Sequence, residues 1–156
     1  MSDKIDPREK LILIVDDDDT VLDFFRFAVE KDGFKVITAR DGEEALKKVH
    51  NTKPDLIIAD MMMPGKGGYE VICSLQAGEL WKIPVIIVSG KFVDDKFKNN
   101  ILFEQNVKEY FVKPVKSPVL MHKIHSLLNT ISPEEKQVEI NNRELNESLK
   151  PKISEQ

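Results

Sequence analysis

The chain has 156 residues, of which 41% are hydrophobic and 32% charged, a composition that suits one globular domain with a polar segment attached. Its net charge of −4 argues against a surface devoted to nucleic acid or anionic membrane, because both bind clustered lysine and arginine. A single cysteine excludes an intramolecular disulfide, and no apolar run approaches the roughly 18 residues of a membrane span. We therefore expect a cytoplasmic chain that contacts neither membrane nor nucleic acid directly.

Five short apolar runs predict five strands. They lie at Leu11–Val15, Phe34–Thr38, Leu56–Ala59, Val85–Val88 and Glu109–Val112. The first, third and fourth runs are almost continuously aliphatic, as expected for parallel strands that are covered on both faces.

The segments between the runs have the apolar spacing of amphipathic helices, as in Leu22, Phe25 and Val29. Capping residues agree, since Asp18 precedes the first helical segment and Gly33 follows it. Strand and helix therefore alternate five times in about 120 residues. This alternation predicts an α/β fold, a five-stranded parallel sheet with helices on both faces.

Polar side chains follow four of the predicted strands, where ligands bind in such sheets. They are Asp16 and Asp17 after the first strand, Asp60 after the third, Ser89 and Gly90 at the fourth, and Lys113 after the fifth. Clustered carboxylates favour a hard dication such as Mg²⁺, and a carboxylate can attack phosphorus. A phosphoryl group in transfer also needs positive charge and hydrogen-bond donors, which a lysine and a serine supply.

Four blocks of the sequence, in order, resemble the receiver domain of two-component signal transduction, a response-regulator domain of the CheY-like type. The blocks are Ile14–Asp17, Pro54–Gly65, Ile87–Gly90 and Tyr110–Pro114. The resemblance covers about residues 10–131 and implies a doubly wound, flavodoxin-like (βα)5 fold with strand order 2-1-3-4-5. It divides the chain into a polar N-terminal extension at 1–9, a receiver at 10–131, and a polar tail or linker at 132–156.

The resemblance also implies a role for each site residue. Asp60 is the expected phosphoacceptor, and Mg²⁺ is expected on Asp16, Asp17, Asp60 and the backbone carbonyl of Met62. The expected phosphoryl-binding and switch residues are Ser89, Gly90, Lys113 and Tyr110.

The function implied is that of a signalling switch rather than a conventional enzyme, although the domain assists its own phosphorylation and dephosphorylation. A sensor histidine kinase or phosphotransfer protein would donate the phosphoryl group. New charge on Asp60 would draw in Ser89 and let Tyr110 turn inward. The face formed by the fourth helix, fifth strand and fifth helix would change and control an output partner.

Two other functions fit parts of the pattern. Asp16-x-Asp18-x-Thr20 resembles the opening motif of haloacid-dehalogenase-type phosphatases, but no aspartate follows Asp95 to complete a metal site. That alternative also leaves the block around Asp60 unexplained. A receiver-like interaction module without phosphorylation is the other possibility, although such a protein should have lost some of the acids or the lysine.

Three further residues have simple expectations. His122 and His125 lie off the apolar stripe of the last predicted receiver helix, so we expect solvated surface histidines. Cys73 is expected as a small buried residue on a helix.

Overall fold

The computed structural model describes residues 3–61, 67–90, 95–102 and 104–151. The five strands are β1 (Leu11–Val15), β2 (Lys35–Ala39), β3 (Leu56–Ala59), β4 (Val85–Ser89) and β5 (Val107–Val112). Within these ranges the α-helices are α1 (Asp19–Lys31), α2 (Gly42–Thr52), α3 (Gly68–Gln76), α4 (Asp95–Leu102), α5 (Ser117–Leu128) and α6 (Pro133–Ser148). Short 3-10 helices occupy Pro7–Glu9 and Glu79–Lys82. Within the described ranges, no helix combines the length and the apolar character that crossing a membrane requires.

The strands form one parallel sheet in the order β2-β1-β3-β4-β5, which confirms the predicted topology. The bounds predicted for β1 and β3 are correct, whereas β5 begins at Val107, two residues before the prediction. The reason is that β5 is an edge strand in which only Val107 and Tyr110 are buried. Buried Val107 is followed by exposed Lys108, so the search for a continuous apolar run missed its start.

Each face of the sheet packs against its own set of helices. Successive residues of β1 point to opposite faces, so Leu13 and Val15 belong to one apolar cluster and Ile12 and Ile14 to the other. The first cluster includes buried residues of α2, α3 and α4, and the second includes those of α1 and α5. Polar groups at the carboxyl edge are therefore held by strands fixed from both sides.

The segment before β1 packs against the end of α5. The backbone N–H of Ile5 donates to the Asn129 carbonyl at 2.8 Å, and the N–H of Ile131 donates to the Ile5 carbonyl at 2.9 Å. Pro7 is buried nearby. Beyond this contact, Ser132 begins α6 with a reciprocal capping box to Glu135. Backbone hydrogen bonds thus join the predicted N-terminal extension to the end of the predicted receiver range.

Two of the simple expectations are wrong. His125 is buried, and both of its ring nitrogens have partners. Its Nδ1 lies 2.7 Å from Thr130 Oγ1, and its Nε2 lies 2.8 Å from Asp32 Oδ2. His122 is exposed, as expected. Cys73 is on α3 but is exposed, since that helix turns Val71, Ile72 and Leu75 toward the sheet instead.

Candidate phosphoryl-acceptor site

At the site, backbone hydrogen bonds extend the pairing of neighbouring strands by one residue beyond the strand ends. The N–H of Asp60 donates to the Val15 carbonyl at 3.0 Å, and the N–H of Lys113 donates to the Ser89 carbonyl at 2.8 Å. The N–H of Asp16 donates to the carboxyl-terminal residue of β2 at 3.1 Å. The side chains at the strand ends are therefore placed by the rigid sheet rather than by a flexible loop.

Lys113 joins two of the carboxylates. Its Nζ lies 2.7 Å from Asp16 Oδ2 and 3.2 Å from Asp60 Oδ2. The other Asp16 oxygen accepts the backbone N–H of Asp18 at 2.9 Å. Asp16 and Asp60 are buried, with 2% and 8% of their surfaces exposed, so these charges interact with little solvent screening.

The burial of the site shifts the pKa of two of its groups. Burial raises the pKa of the Asp16 carboxyl above its ordinary value, and the hydrogen bonds from Lys113 and Asp18 only partly oppose this effect. The charge of Asp60 adds to the increase. Burial alone would lower the pKa of Lys113, but the two carboxylates outweigh it and raise that pKa. The site thus holds Lys113 as a cation beside carboxylates that repel one another.

The carboxylates are close enough to share a metal ion. Asp16, Asp17 and Asp60 each offer an oxygen, and these oxygens lie within 4.8 Å of one another. Asp17 is exposed, which leaves one side open to water. Mg²⁺ prefers one or two carboxylates together with waters and phosphate oxygens, and this donor set fits that preference. Met62, the predicted carbonyl ligand, lies outside the described residues.

Two of the predicted switch residues, Ser89 and Tyr110, lie on the neighbouring strands β4 and β5. Ser89, the last residue of β4, is completely buried, and Gly90 beyond it is exposed. A side chain at Gly90 would approach the aliphatic part of Lys113, at 3.8 Å. Tyr110 on β5 is only 2% exposed and belongs to the apolar cluster on the side of α2 and α3. The ring of Tyr110 is thus in the inward position in this structure.

Gly68 is a positioning residue that the sequence reasoning missed. A Cβ built at Gly68 would lie 2.6 Å from the backbone oxygen of Asp60 and 3.2 Å from Met61 Cα. The N–H of Gly68 donates to the Met61 carbonyl at 3.2 Å, so α3 begins directly against the chain that leaves β3. The adjacent pair Gly67-Gly68 was the available signal, because paired glycines often mark a close backbone approach.

Comparison with known proteins agrees with this geometry. A family model described as the response regulator receiver domain matches residues 12–125. The chain is 39% identical over 105 residues to the alkaline phosphatase synthesis transcriptional regulatory protein PhoP of Bacillus subtilis (strain 168), covering 67% of this chain and 42% of that protein. It is 31% identical over 117 residues to the transcriptional regulatory protein AfsQ1 of Streptomyces coelicolor, covering 75% of this chain and 50% of that protein.

A solved structure is also similar to this chain. It is the signal receiver domain of a signal transduction histidine kinase from Syntrophus aciditrophicus, with 32% identity and a TM-score of 0.68. The match covers 76% of this chain and 89% of that one. The chain therefore belongs to the response regulator receiver domain family of two-component systems. It spans half or less of the length of these two curated relatives.

Proposed function

We propose that this receiver accepts a phosphoryl group on Asp60 from a phosphohistidine of a sensor histidine kinase or a phosphotransfer protein. The observation that carries the proposal is the position of Lys113, whose Nζ lies 3.2 Å from Asp60 and 2.7 Å from Asp16. An ammonium group already at the acceptor carboxylate is placed to bind an oxygen of the arriving phosphoryl group.

The transfer itself requires a small number of groups. An oxygen of Asp60 forms a bond to phosphorus while the bond between phosphorus and the donor nitrogen breaks. Lys113 neutralises one phosphoryl oxygen, and the hydroxyl of Ser89 with a backbone N–H serves another. Catalysis of this kind is mainly positioning and charge stabilisation, which suits side chains held by the ends of a rigid sheet.

Asp16, Asp17 and Asp60 would hold Mg²⁺, with the Met62 carbonyl as a further ligand. Bound there, the metal would supply positive charge that stabilises the phosphoryl group in transfer. The proposal is supported by the closeness of the three carboxylates and by the burial that raises the pKa of Asp16. A dication would relieve the repulsion between the carboxylates and compensate for their lost solvation.

The switch would act through Ser89 and Tyr110. Phosphorylation of Asp60 would draw the Ser89 hydroxyl toward a phosphoryl oxygen and favour the inward position of Tyr110. Because Tyr110 already occupies that position here, we propose that phosphorylation changes the population of an existing state. The surface that reports the change would be the face formed by α4, β5 and α5.

The receiver would therefore work as a switch that assists its own phosphorylation and dephosphorylation, in the cytoplasm, and control an output domain or protein. The relatives PhoP and AfsQ1 carry names of transcriptional regulators, but this chain matches at most half of each. A direct contact between this chain and nucleic acid is not part of the proposal, in keeping with the net charge of −4.

The test is intact-protein mass after incubation with a small phosphodonor and Mg²⁺. We expect the wild type to gain one phosphoryl group, and we expect neither Asp60→Asn nor wild type with chelator to gain it. Asp18→Asn is the matched control, because it changes a neighbouring carboxylate while asparagine still caps α1. This control should be phosphorylated like the wild type.

Two results would contradict the proposal in different ways. No gain in the wild type, with either small donors or a phosphorylated kinase, would favour an interaction module. A gain that persists in Asp60→Asn would move the nucleophile to Asp16 or a neighbour, as in the phosphatase alternative.

A further inference from the structure

The joint between α5 and α6 is short and spans residues 129–132. It begins at Asn129, whose left-handed backbone with φ of 53° ends α5, and it ends at Ser132, which caps α6. Two helices joined by so few residues can meet in more than one arrangement. Contacts from outside the joint therefore decide the direction of α6 relative to the receiver.

The segment before β1 supplies such a contact. The N–H of Ile5 donates to the Asn129 carbonyl, and the Ile5 carbonyl accepts the N–H of Ile131, so residue 5 pairs with the joint as a residue of a parallel strand does. Lys4 forms an ion pair with Glu135 in the first turn of α6. This segment therefore holds the joint and the start of α6 together.

The receiver holds the same joint through Thr130. This residue is completely buried, its N–H donates to the His125 carbonyl at 3.1 Å, and its Oγ1 lies 2.7 Å from His125 Nδ1. His125 Nε2 in turn lies 2.8 Å from Asp32 Oδ2, at the end of α1. The joint is therefore held both by the segment before β1 and by the ends of α5 and α1.

The segment before β1 can resist movement because its other end is fixed to the receiver. Pro7 is buried, and the Lys10 carbonyl accepts the N–H of Lys35, the first residue of β2, at 3.1 Å. The next residue, Leu11, donates its N–H to Asp55 Oδ2 at 2.8 Å. Residues 4–10 thus form a strap between the start of the sheet and the joint.

The strap acts close to the only part of α6 that approaches the rest of the described chain. Glu135 and Glu139 are half-buried, whereas every residue from 140 to 150 is exposed. The helix has 16 residues and is about 24 Å long, so its second half projects from the receiver. Its direction is therefore set at the joint and in its first two turns.

We propose that the strap at residues 4–10 locks the joint and makes α6 a rigid arm with one direction relative to the sheet. With the strap released, α6 would be a helix on a hinge. The carboxyl end of the arm, and any partner bound there, would be held in an orientation that the receiver determines, and release of the strap would end that control.

A distance between spin labels on α2 and α6 of the full chain tests the arm. Lys47→Cys and Glu144→Cys place the labels at exposed residues, and Cys73→Ser removes the native thiol. Pulsed electron paramagnetic resonance should give one narrow distance distribution. Ile5→Pro removes the N–H that bonds to the joint, so we expect it to widen the distribution at least roughly twofold.

Asp3→Pro is the matched control, because it introduces the same residue at an exposed position two residues before the pairing. It should leave the distribution narrow. A broad distribution before any change at residue 5 would overturn the proposal, as would a distribution in Ile5→Pro that stays narrow. Equal broadening in the two proline variants would overturn it too, because the effect would not depend on the pairing of residue 5.

Amide hydrogen exchange separates release of the strap from unfolding of the receiver. In Ile5→Pro, the Ile131 amide should exchange at least roughly tenfold faster, because its acceptor is the Ile5 carbonyl. The Ile14 amide, in the centre of the sheet on β1, should exchange at the wild-type rate. Equal acceleration of both amides would show that the segment stabilises the whole domain rather than the joint, and the proposal would then be wrong.

Discussion

Gly68→Ala tests whether close packing of α3 against β3 positions the phosphoacceptor. The added Cβ would lie 2.6 Å from the Asp60 backbone oxygen, about 0.8 Å short of ordinary contact at 3.4 Å. Its neighbours are backbone atoms, which cannot rotate out of the way as a flexible side chain could. Either α3 or the end of β3 must therefore move by several tenths of an ångström.

This displacement should cost both stability and reactivity. Overpacking of this kind costs about 1–3 kcal/mol, which exceeds the roughly 0.4–1 kcal/mol that alanine gains by restricting the unfolded chain. We expect Gly68→Ala to lower the free energy of unfolding by about 1–2 kcal/mol. We also expect phosphorylation to slow by roughly tenfold, because a small misplacement of Asp60 disturbs the alignment needed for transfer.

Gly78→Ala is the matched control, since a Cβ at Gly78 meets no atom within 4 Å. Its backbone lies in the extended region, where alanine is tolerated. Urea unfolding of the two variants in chelator measures stability, and the mass assay measures phosphorylation. If Gly68→Ala is as stable as Gly78→Ala and is phosphorylated as fast, the close backbone approach does not constrain the site.

Two other substitutions test buried polar groups. His125→Leu should lower the free energy of unfolding by about 1–3 kcal/mol, because it leaves a buried hydroxyl and a largely buried carboxylate without their partner. His122→Ala, on the exposed side of the same helix, should change it by less than about 0.5 kcal/mol, and equal losses in urea unfolding would contradict this account. Because the pKa of Asp16 is raised in the folded state, the folded protein binds the proton of this carboxyl more tightly than the unfolded chain does. The contribution of Asp16 to the free energy of unfolding is therefore fully present at acid pH and is lost as the pH rises through the folded pKa. Without divalent metal, Asp16→Asn should therefore be more stable than wild type at neutral pH and equally stable in acid, and a constant difference across this range would refute the assignment.

Much of the site could be predicted because parallel sheets place their strand ends along one edge. Short aliphatic runs identified β1, β3 and β4, and the polar residue at the end of each run became a candidate site residue. This inference did not depend on how the helices between the strands pack. Asp16, Asp60 and Ser89 were found in this way, and Lys113 was found after the shorter apolar run of β5. The order of the strands and the role of each residue came instead from the four-block resemblance.

The local sequence pattern could not show contacts between distant elements. His125 lies off the apolar stripe of α5, and its contacts with Thr130 and with Asp32, at the end of α1, make its burial favourable. The start of β5 was missed because exposed Lys108 interrupts the apolar run of this edge strand after Val107. Gly68 was missed because its neighbour in space is a backbone atom of Asp60.

The sequence by itself thus determined the alternation of strands and helices and the acids and the lysine at the strand ends. These follow from local periodicity, which depends on neighbours along the chain. The tertiary structure decided that Lys113 bridges Asp16 and Asp60 and that Tyr110 is turned inward. Each of these depends on distances between residues far apart in sequence, which exist only after the sheet and its helices have packed.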